Sequence, residues 1–190
     1  MRYLGVQNVI DQPVYDTVRL AAVAGQTVQF FTVPLGGLLA AGIPKGYSHT
    51  NLLQQGRIEK GYKLTITALS LCVKVMADGA ARVTWADYIT CFNNGHFNFL
   101  FGDVSLLRLP AALLPPANSE IQYFSNIVAA ATEYMPNHGI GSFTNKFELV
   151  SPLTLEEEET IRVDWFVGAT PGAVTDVRLT LWGDMVTPVR

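Results

Sequence analysis

The chain has 190 residues, of which 49% are hydrophobic and only 15% are charged, and its formal net charge is −3. Because an average soluble domain has about 25% charged residues, these charges are too few to cover an isolated globule generously. Either part of the surface is unusually poor in charge or partners cover it, and we favour partners. The 13 Lys and Arg residues are scattered, which excludes the basic footprint of a nucleic-acid-binding protein.

Glycine and proline punctuate the chain evenly, with 16 glycines and 10 prolines. Short apolar or alternating runs lie between them, and this spacing is typical of an all-β sandwich or barrel. The length predicts one domain, which we place at residues 14–190. Residues 1–13 show no strong structural pattern and are predicted to form an N-terminal arm.

Three runs in the first half of the chain predict β-strands, at Val14–Val23, Thr27–Val33 and Lys63–Met76. The third run is the clearest, because apolar and polar residues alternate over most of its length. The alternation slips by one place at Ser70, which predicts a β-bulge or kink there. The apolar set of this run is Leu64, Ile66, Ala68, Leu71, Val73 and Val75.

A different pattern, at Thr84–Asn94, predicts a short helix of about two to three turns. Thr84 suits the N-cap position, with Asp87 at the third helical position, and the asparagines before Gly95 suit the C-cap. The apolar residues that recur at helical spacing are Trp85, Tyr88, Ile89 and Phe92.

Strand patterns resume after Gly95, interrupted by an apolar loop at Pro110–Pro116 and by Ile121–Tyr134, which is ambiguous between strand and helix. The predicted strands are Phe97 to Phe101, Val104–Leu109, Phe143–Val150, Thr160–Val167 and Val174–Trp182. No helices of crossover length alternate with the strands, so antiparallel pairing is favoured. We therefore predict an all-β fold, a single eight-stranded jelly-roll β-sandwich with one or two short helices.

Residue types that carry catalysis or bind metals do not cluster in this sequence. His49, His96 and His138 have no partner at metal-ligand spacing, and no nucleophile motif or phosphate loop is present. Cys72 and Cys91 are predicted to be small buried hydrophobes in a reducing compartment, with a disulfide as the alternative. The sequence predicts no catalytic, cofactor-binding or metal-binding residue and no enzyme activity.

The run Glu156–Glu159 is the most localised charge on the chain. A calcium site or a contact with a basic partner is one interpretation, and a solvated loop between two strands is the simpler one. Val33–Pro44 is too short and too rich in Gly and Pro to span a membrane, and no signal-peptide core precedes Asp11. Aromatic residues at strand positions predict core filling rather than a carbohydrate platform. They are Phe97, Phe99, Phe101, Trp165, Phe166 and Trp182.

Three stretches, taken in order, carry a resemblance to a known family. They are Thr50 to Ile58 followed by the strand from Lys63; Ala86 to Phe92 followed by the aromatic strand and the proline-bounded loop; and Val177 to Gly183 followed by Thr187 to Arg190. In pattern the chain resembles the vertical jelly-roll major capsid proteins of icosahedral dsDNA viruses, the lineage of tectiviruses, adenoviruses and small-capsomer phages. At 190 residues it has room for one jelly roll and so is similar to the single-jelly-roll subgroup.

The resemblance implies a structural capsid protein, located in the virion and made in the host cytoplasm, that self-assembles into an icosahedral shell. Its implied partners are further copies of itself and other capsid or vertex proteins, with an internal lipid membrane left open and no sequence-specific nucleic acid. Under this hypothesis the loops Leu35–Pro44 and Pro110–Pro116 become subunit contacts, and the arm lies on a neighbour or toward the particle interior. The alternative is a phage-tail or cell-surface β-sandwich that recognises a glycan or receptor. An enzyme on a cupin-like barrel is a third hypothesis, disfavoured by the isolated histidines.

Overall fold

The computed structural model describes residues 7–23, 25–40, 42–74, 93–114, 146–168 and 174–188. Antiparallel strands dominate these residues, which confirms the predicted all-β class, and a 3-10 turn occurs at Ala111–Leu113. The strands are β1 (Gln7–Asp11), β2 (Val14–Leu20), β3 (Gln26–Phe30), β4 (Leu38–Ala40), β5 (Ile43–Pro44), β6 (Lys63–Lys74), β7 (Gly95–Phe101), β8 (Val104–Pro110), β9 (Phe147–Leu155), β10 (Ile161–Val167) and β11 (Thr175–Pro188). The described residues thus hold eleven strands rather than the eight predicted.

The central strand of a five-stranded sheet is β11, in the order β1–β11–β6–β9, and β2 also pairs with β11. β1 and β2 follow one another along the same edge of β11 in a single register, from Gln7 opposite Pro188 to Leu20 opposite Thr175. Pro13 lies between them and has no N–H to donate, so the ladder is interrupted there. Sequence patterns did not predict β1, which occupies part of the segment assigned to the arm. The contact of that arm with a neighbouring subunit stays a prediction.

The second sheet has four strands in the order β3–β10–β7–β8, and β7 and β8 form a hairpin around Gly102-Asp103. Alternate residues of each strand face the five-stranded sheet, so Phe97 and Phe99 are buried while His96, which precedes them on the opposite face, is exposed. The predicted strands on either side of this turn are confirmed.

The core lies between the inner faces of the two sheets and is mostly apolar. Its aromatic centre is Trp165, whose ring stacks on Phe97 with centroids 5.1 Å apart and on Phe30 at 6.4 Å. These side chains are fully buried, which confirms core filling for Phe97, Phe99 and Trp165, whereas Phe166 is partly exposed on the opposite face of β10.

The predicted bulge in β6 lies three residues earlier than expected. The register between β6 and β11 shifts at Trp182 and Gly183, and the extra residue of β6 is Thr67 rather than Ser70. Beyond Thr67, Leu69 and Leu71 face the core, and Ala68 faces the other side of the sheet. Both faces of β6 carry buried residues, so the sequence pattern does not show that the alternation changes face at Thr67. For this reason the sequence prediction placed Ala68 with the core residues.

The five-stranded sheet is buried at its centre on both faces. On the face turned away from the core, Arg19 donates two hydrogen bonds to Asp176, from Nε to Oδ1 at 2.7 Å and from Nη2 to Oδ2 at 3.0 Å. On the same face the Trp182 indole Nε1–H donates to Ser70 Oγ at 2.8 Å. Cys72 also lies here and is buried, as predicted. Paired polar groups therefore satisfy this face of the sheet.

Several sequence predictions fall outside the described residues. They are Cys91, His138, the segment Ile121–Tyr134, the end of the Pro110–Pro116 loop and almost all of the helix predicted at Thr84–Asn94.

Candidate interaction surfaces

Large apolar side chains that are exposed lie on strand edges, turns and loops, with the exception of Phe166. They are Val9 and Ile10 on β1, Val104 and Leu106 on β8, Val150 in β9, Leu38 in β4, and Val23, Tyr47, Leu53, Leu113 and Val174 in turns and loops. The outer face of the four-stranded sheet is otherwise mostly polar, with Gln29, Asn98 and Arg162 exposed or half-buried. This distribution is typical of a protein that makes contacts through its edges rather than through the flat faces of its sheets.

The predicted contact loop Leu35–Pro44 forms a small antiparallel hairpin of β4 and β5. Its base is closed by two backbone hydrogen bonds, from Gly36 N to the Lys45 carbonyl at 2.9 Å and from Lys45 N to the Gly37 carbonyl at 2.7 Å. Leu38, at the start of the hairpin, is 60% exposed. The hairpin therefore holds an apolar side chain in solvent on an ordered support.

A buried ion pair fixes the base of this hairpin to the sandwich. Lys45 Nζ lies 2.7 Å from Asp16 Oδ1, and the two side chains are 3% and 0% exposed. The other carboxylate oxygen, Asp16 Oδ2, accepts a 2.7 Å hydrogen bond from the backbone N–H of Phe31. Phe31 has a left-handed backbone (φ +66°), which costs about 1–2 kcal/mol in a residue other than glycine, and the carboxylate helps to hold it there. We name Asp16, Lys45 and Phe31 the hairpin clamp.

Burial is the main influence on Asp16. Loss of solvent raises the pKa of this carboxyl group above its ordinary value, and the charge and hydrogen bond of Lys45 offset part of the rise. The Phe31 N–H and Thr50 also lower the pKa, to a smaller extent. The ion pair therefore compensates incompletely for the cost of burying the carboxylate.

The raised pKa of Asp16 predicts how stability depends on pH. Protonated Asp16 favours the folded state fully below the unfolded pKa of about 3.9, and this contribution is lost as pH rises through the higher folded pKa. We expect the free energy of unfolding of the wild type, relative to the double variant Asp16→Asn/Lys45→Met, to fall as pH rises through that interval. Urea unfolding of both proteins at a series of pH values measures it, and a rise with pH would show that Lys45 outweighs burial.

The second predicted contact loop is described from Pro110 to Leu114. Ala111 and Leu114 are buried, whereas Leu113 is half exposed in the 3-10 turn between them. This turn packs beside β7, in the four-stranded sheet, whereas the β4–β5 hairpin packs beside β2, in the five-stranded sheet. In their described parts, the two predicted contact loops therefore pack beside different sheets.

The acidic run is an exposed loop between β9 and β10, in agreement with the simpler interpretation. Its backbone bonds to the segment before β6, since Ile58 N donates to the Glu159 carbonyl and Glu158 N donates to the Ile58 carbonyl. Glu157 Oε2 accepts a 2.7 Å hydrogen bond from Gly61 N, and Lys63 forms an ion pair with Glu156. The carboxylates thus tie two loops together at one end of the sandwich.

No metal-binding cluster of three His, Cys, Asp or Glu side chains occurs in the part of the chain that the structure describes. His49 Nδ1 accepts a 3.1 Å hydrogen bond from Gly46 N within its own turn, and His96 is an exposed strand residue. An open polar groove of about 660 Å³ runs past Arg57, Asp103 and Arg162. Because its charges are of both signs, the groove favours neither an anion nor a cation.

Sequence reasoning missed the hairpin clamp and the exposed residues of β8 and β9. A signal for the clamp was present, because Asp16 shares the inward face of β2 with Val14 and Val18. A charge at such a position predicts a buried partner, although not which one. Nothing in the sequence indicates that Val104, Leu106 and Val150 are exposed, because valine and leucine are equally typical of a buried strand face.

The chain matches no family model, no curated protein and no solved structure. Among the described residues, no helix has the length and apolar character that crossing a membrane requires.

Proposed function

We propose that the chain is a structural subunit that self-assembles into the icosahedral capsid of a virus or bacteriophage, built on a jelly roll. Under this proposal its partners are further copies of the same chain and other capsid or vertex proteins, and its location is the virion. An internal membrane beneath the shell is compatible with the proposal and is not required by it.

The jelly-roll fold is supported by the order in which strands pair. Apart from β1, β4 and β5, the strands in chain order are β2, β3, β6, β7, β8, β9, β10 and β11. The first pairs with the last, the second with the seventh, the third with the sixth and the fourth with the fifth. These nested pairs are those of one long hairpin that has been rolled up, and the pairs β11–β6 and β10–β7 close the roll. In this interpretation β1 continues the line of β2 along β11, and the hairpin of β4 and β5 lies in the connection between β3 and β6.

The observation that carries the functional proposal is the placement of exposed apolar side chains at edges and loops of a charge-poor chain. Only 15% of the residues are charged, while Leu38, Val104 and Val150 are held in solvent. An isolated monomer gains nothing from these side chains, and a subunit that contacts several neighbours buries them. Weak contacts of this kind add up when a closed symmetric shell repeats them.

The native mass of the purified protein, measured by light scattering and imaged by negative stain, tests the proposal. We expect rings or shells of capsomer size for the wild type. Leu38→Asp should weaken association about tenfold, because it places a charge at an apolar contact. Thr27→Asp adds the same charge at an exposed position on the outer face of the four-stranded sheet and should associate as the wild type does.

A wild type that stays monomeric over a wide range of protein and salt concentration, with or without a partner capsid protein, would contradict self-assembly. Glycan or receptor recognition by a tail or cell-surface β-sandwich is the second candidate function. It is favoured by the rings of His96 and Phe166, 5.2 Å apart on the outer face of the four-stranded sheet, where Phe166 is 37% exposed. Saturable glycan binding by a monomer would support it.

A further inference from the structure

The strand β8 forms an open edge of the four-stranded sheet. Among the described residues it pairs only with β7, and five of its seven residues are exposed. Val104 and Leu106 are 60% and 52% exposed. An exposed edge with apolar side chains is a template for pairing with another strand, which natural proteins normally block.

The other long edges carry features that block such pairing. Along β9 the ladder to β6 breaks between Glu148 and Leu153, so that residues 149–152 leave the register and Pro152 lacks a donor. The edge formed by β1 and β2 is broken by Pro13, and β3 is only five residues long. On β8 the irregularity is smaller, since a single residue, Leu106, leaves the register, and proline appears only at the last position.

The charges of the β8 hairpin are complementary to themselves. Asp103 precedes the strand and Arg108 lies five residues later, and both are exposed. When two copies of an antiparallel strand pair about a two-fold axis centred between Ser105 and Leu106, each Arg108 lies opposite Asp103 of the other copy. The same register places Ser105 opposite Leu106 and Val104 opposite Leu107, with no like charges facing.

We propose that a second copy of this chain pairs with β8, antiparallel and edge to edge, so that the two four-stranded sheets form one continuous eight-stranded sheet. The proposal rests on self-assembly, and it names the surface and the symmetry of one contact. Backbone hydrogen bonds between the two β8 strands supply the pairing, the exposed apolar residues pack across the axis, and the two Asp103–Arg108 pairs set the register.

Charge reversal in the full-length chain tests the pairing by sedimentation, at concentrations where the wild type partly dissociates. Arg108→Asp places two carboxylates opposite each other on both sides of the axis, and Asp103→Arg places two guanidinium groups there. We expect each single change to weaken two-fold association about tenfold, and the double variant Asp103→Arg/Arg108→Asp to return within about threefold of the wild type. Lys63→Asp changes the net charge by the same amount as Arg108→Asp, in β6 of the five-stranded sheet, and should leave the association unchanged.

Thermal unfolding of each variant confirms that it is folded, which is expected because both side chains are in solvent. Rescue by the double variant supports the pairing, since a loss of structure would not be reversed by a second substitution. A net-charge effect is excluded separately, because the two single variants shift the net charge in opposite directions and both are expected to weaken association. If the wild type assembles and all four variants assemble equally well, β8 is not the contact, although self-assembly stands. If the double variant is as weak as the singles, Asp103 does not face Arg108 and the register is wrong. A monomeric wild type overturns both proposals.

Discussion

Lys45→Met is expected to lower the free energy of unfolding by about 3 kcal/mol at neutral pH, which is the scale for a buried ion pair that loses one partner. The substitution preserves the bulk of the side chain but leaves the Asp16 carboxylate buried beside an apolar group, held only by the Phe31 N–H and Thr50. Urea unfolding measures the loss. It should shrink as pH is lowered, because the pKa of Asp16 rises further without Lys45, and a protonated carboxyl carries no buried charge.

Two controls separate the hairpin clamp from a general effect of losing a lysine. Lys63→Met removes an ion pair with Glu156 in which both side chains are about half exposed, and it should cost less than about 1 kcal/mol. The double variant Asp16→Asn/Lys45→Met removes both charges and retains an acceptor for Phe31, so it should recover most of the loss. If the double variant is as unstable as Lys45→Met alone, the effect comes from packing and not from the unpaired carboxylate.

Gly183→Ala is expected to lower the free energy of unfolding by about 3 kcal/mol, near the upper end for single substitutions. Gly183 lies in the centre of β11, where the bulge in β6 brings the two backbones together. A Cβ at this position would lie 1.8 Å from the Thr65 carbonyl oxygen and 3.0 Å from the Ile66 Cα. Because both are backbone atoms, the strand must move to accept the methyl group, and thermal or urea unfolding records the cost.

Gly102→Ala is the matched control for this change. Gly102 has a positive φ of 57° in the β7–β8 turn, but a Cβ there meets nothing within 4 Å. Only the backbone strain of a left-handed alanine remains, about 1 kcal/mol. If the two variants lose equal free energy of unfolding, the close approach of β11 to β6 adds nothing to the cost of Gly183→Ala.

A strand was predictable from the sequence where one of its faces is buried and the other is exposed to solvent. β7 and β10 alternate cleanly, so their positions and buried residues follow from period alone. β6 is buried on both faces, and there the alternation misplaced the bulge. β4 and β5 are too short to give a period, and β11 extends six residues beyond the predicted Trp182 because its far end pairs with β1 and β6 through side chains of mixed polarity.

The contacts that position the candidate surfaces are less predictable, because they depend on which distant residues meet. Asp16 and Lys45 are 29 residues apart, and nothing in their spacing indicates a pair. Asp103 and Arg108 are visible in the sequence, but their meaning depends on the exposure of the edge between them. Edges are determined by strand order, which is a property of the whole chain.

The nested order of the strands has a consequence for the time at which the molecule becomes compact. β11 is the last of the described strands to be synthesised, yet it lies between β2 and β6, which are synthesised early. Its contacts therefore join distant parts of the chain, as the ion pair of Arg19 with Asp176 does across 157 positions. Long loops must close before these contacts stabilise anything, so such topologies fold in milliseconds to seconds. Until β11 has been synthesised and has paired, β2 and β6 lack the strand that lies between them. During that interval copies of the chain can meet through unfinished sheets, so correct assembly requires folding to be faster than encounter.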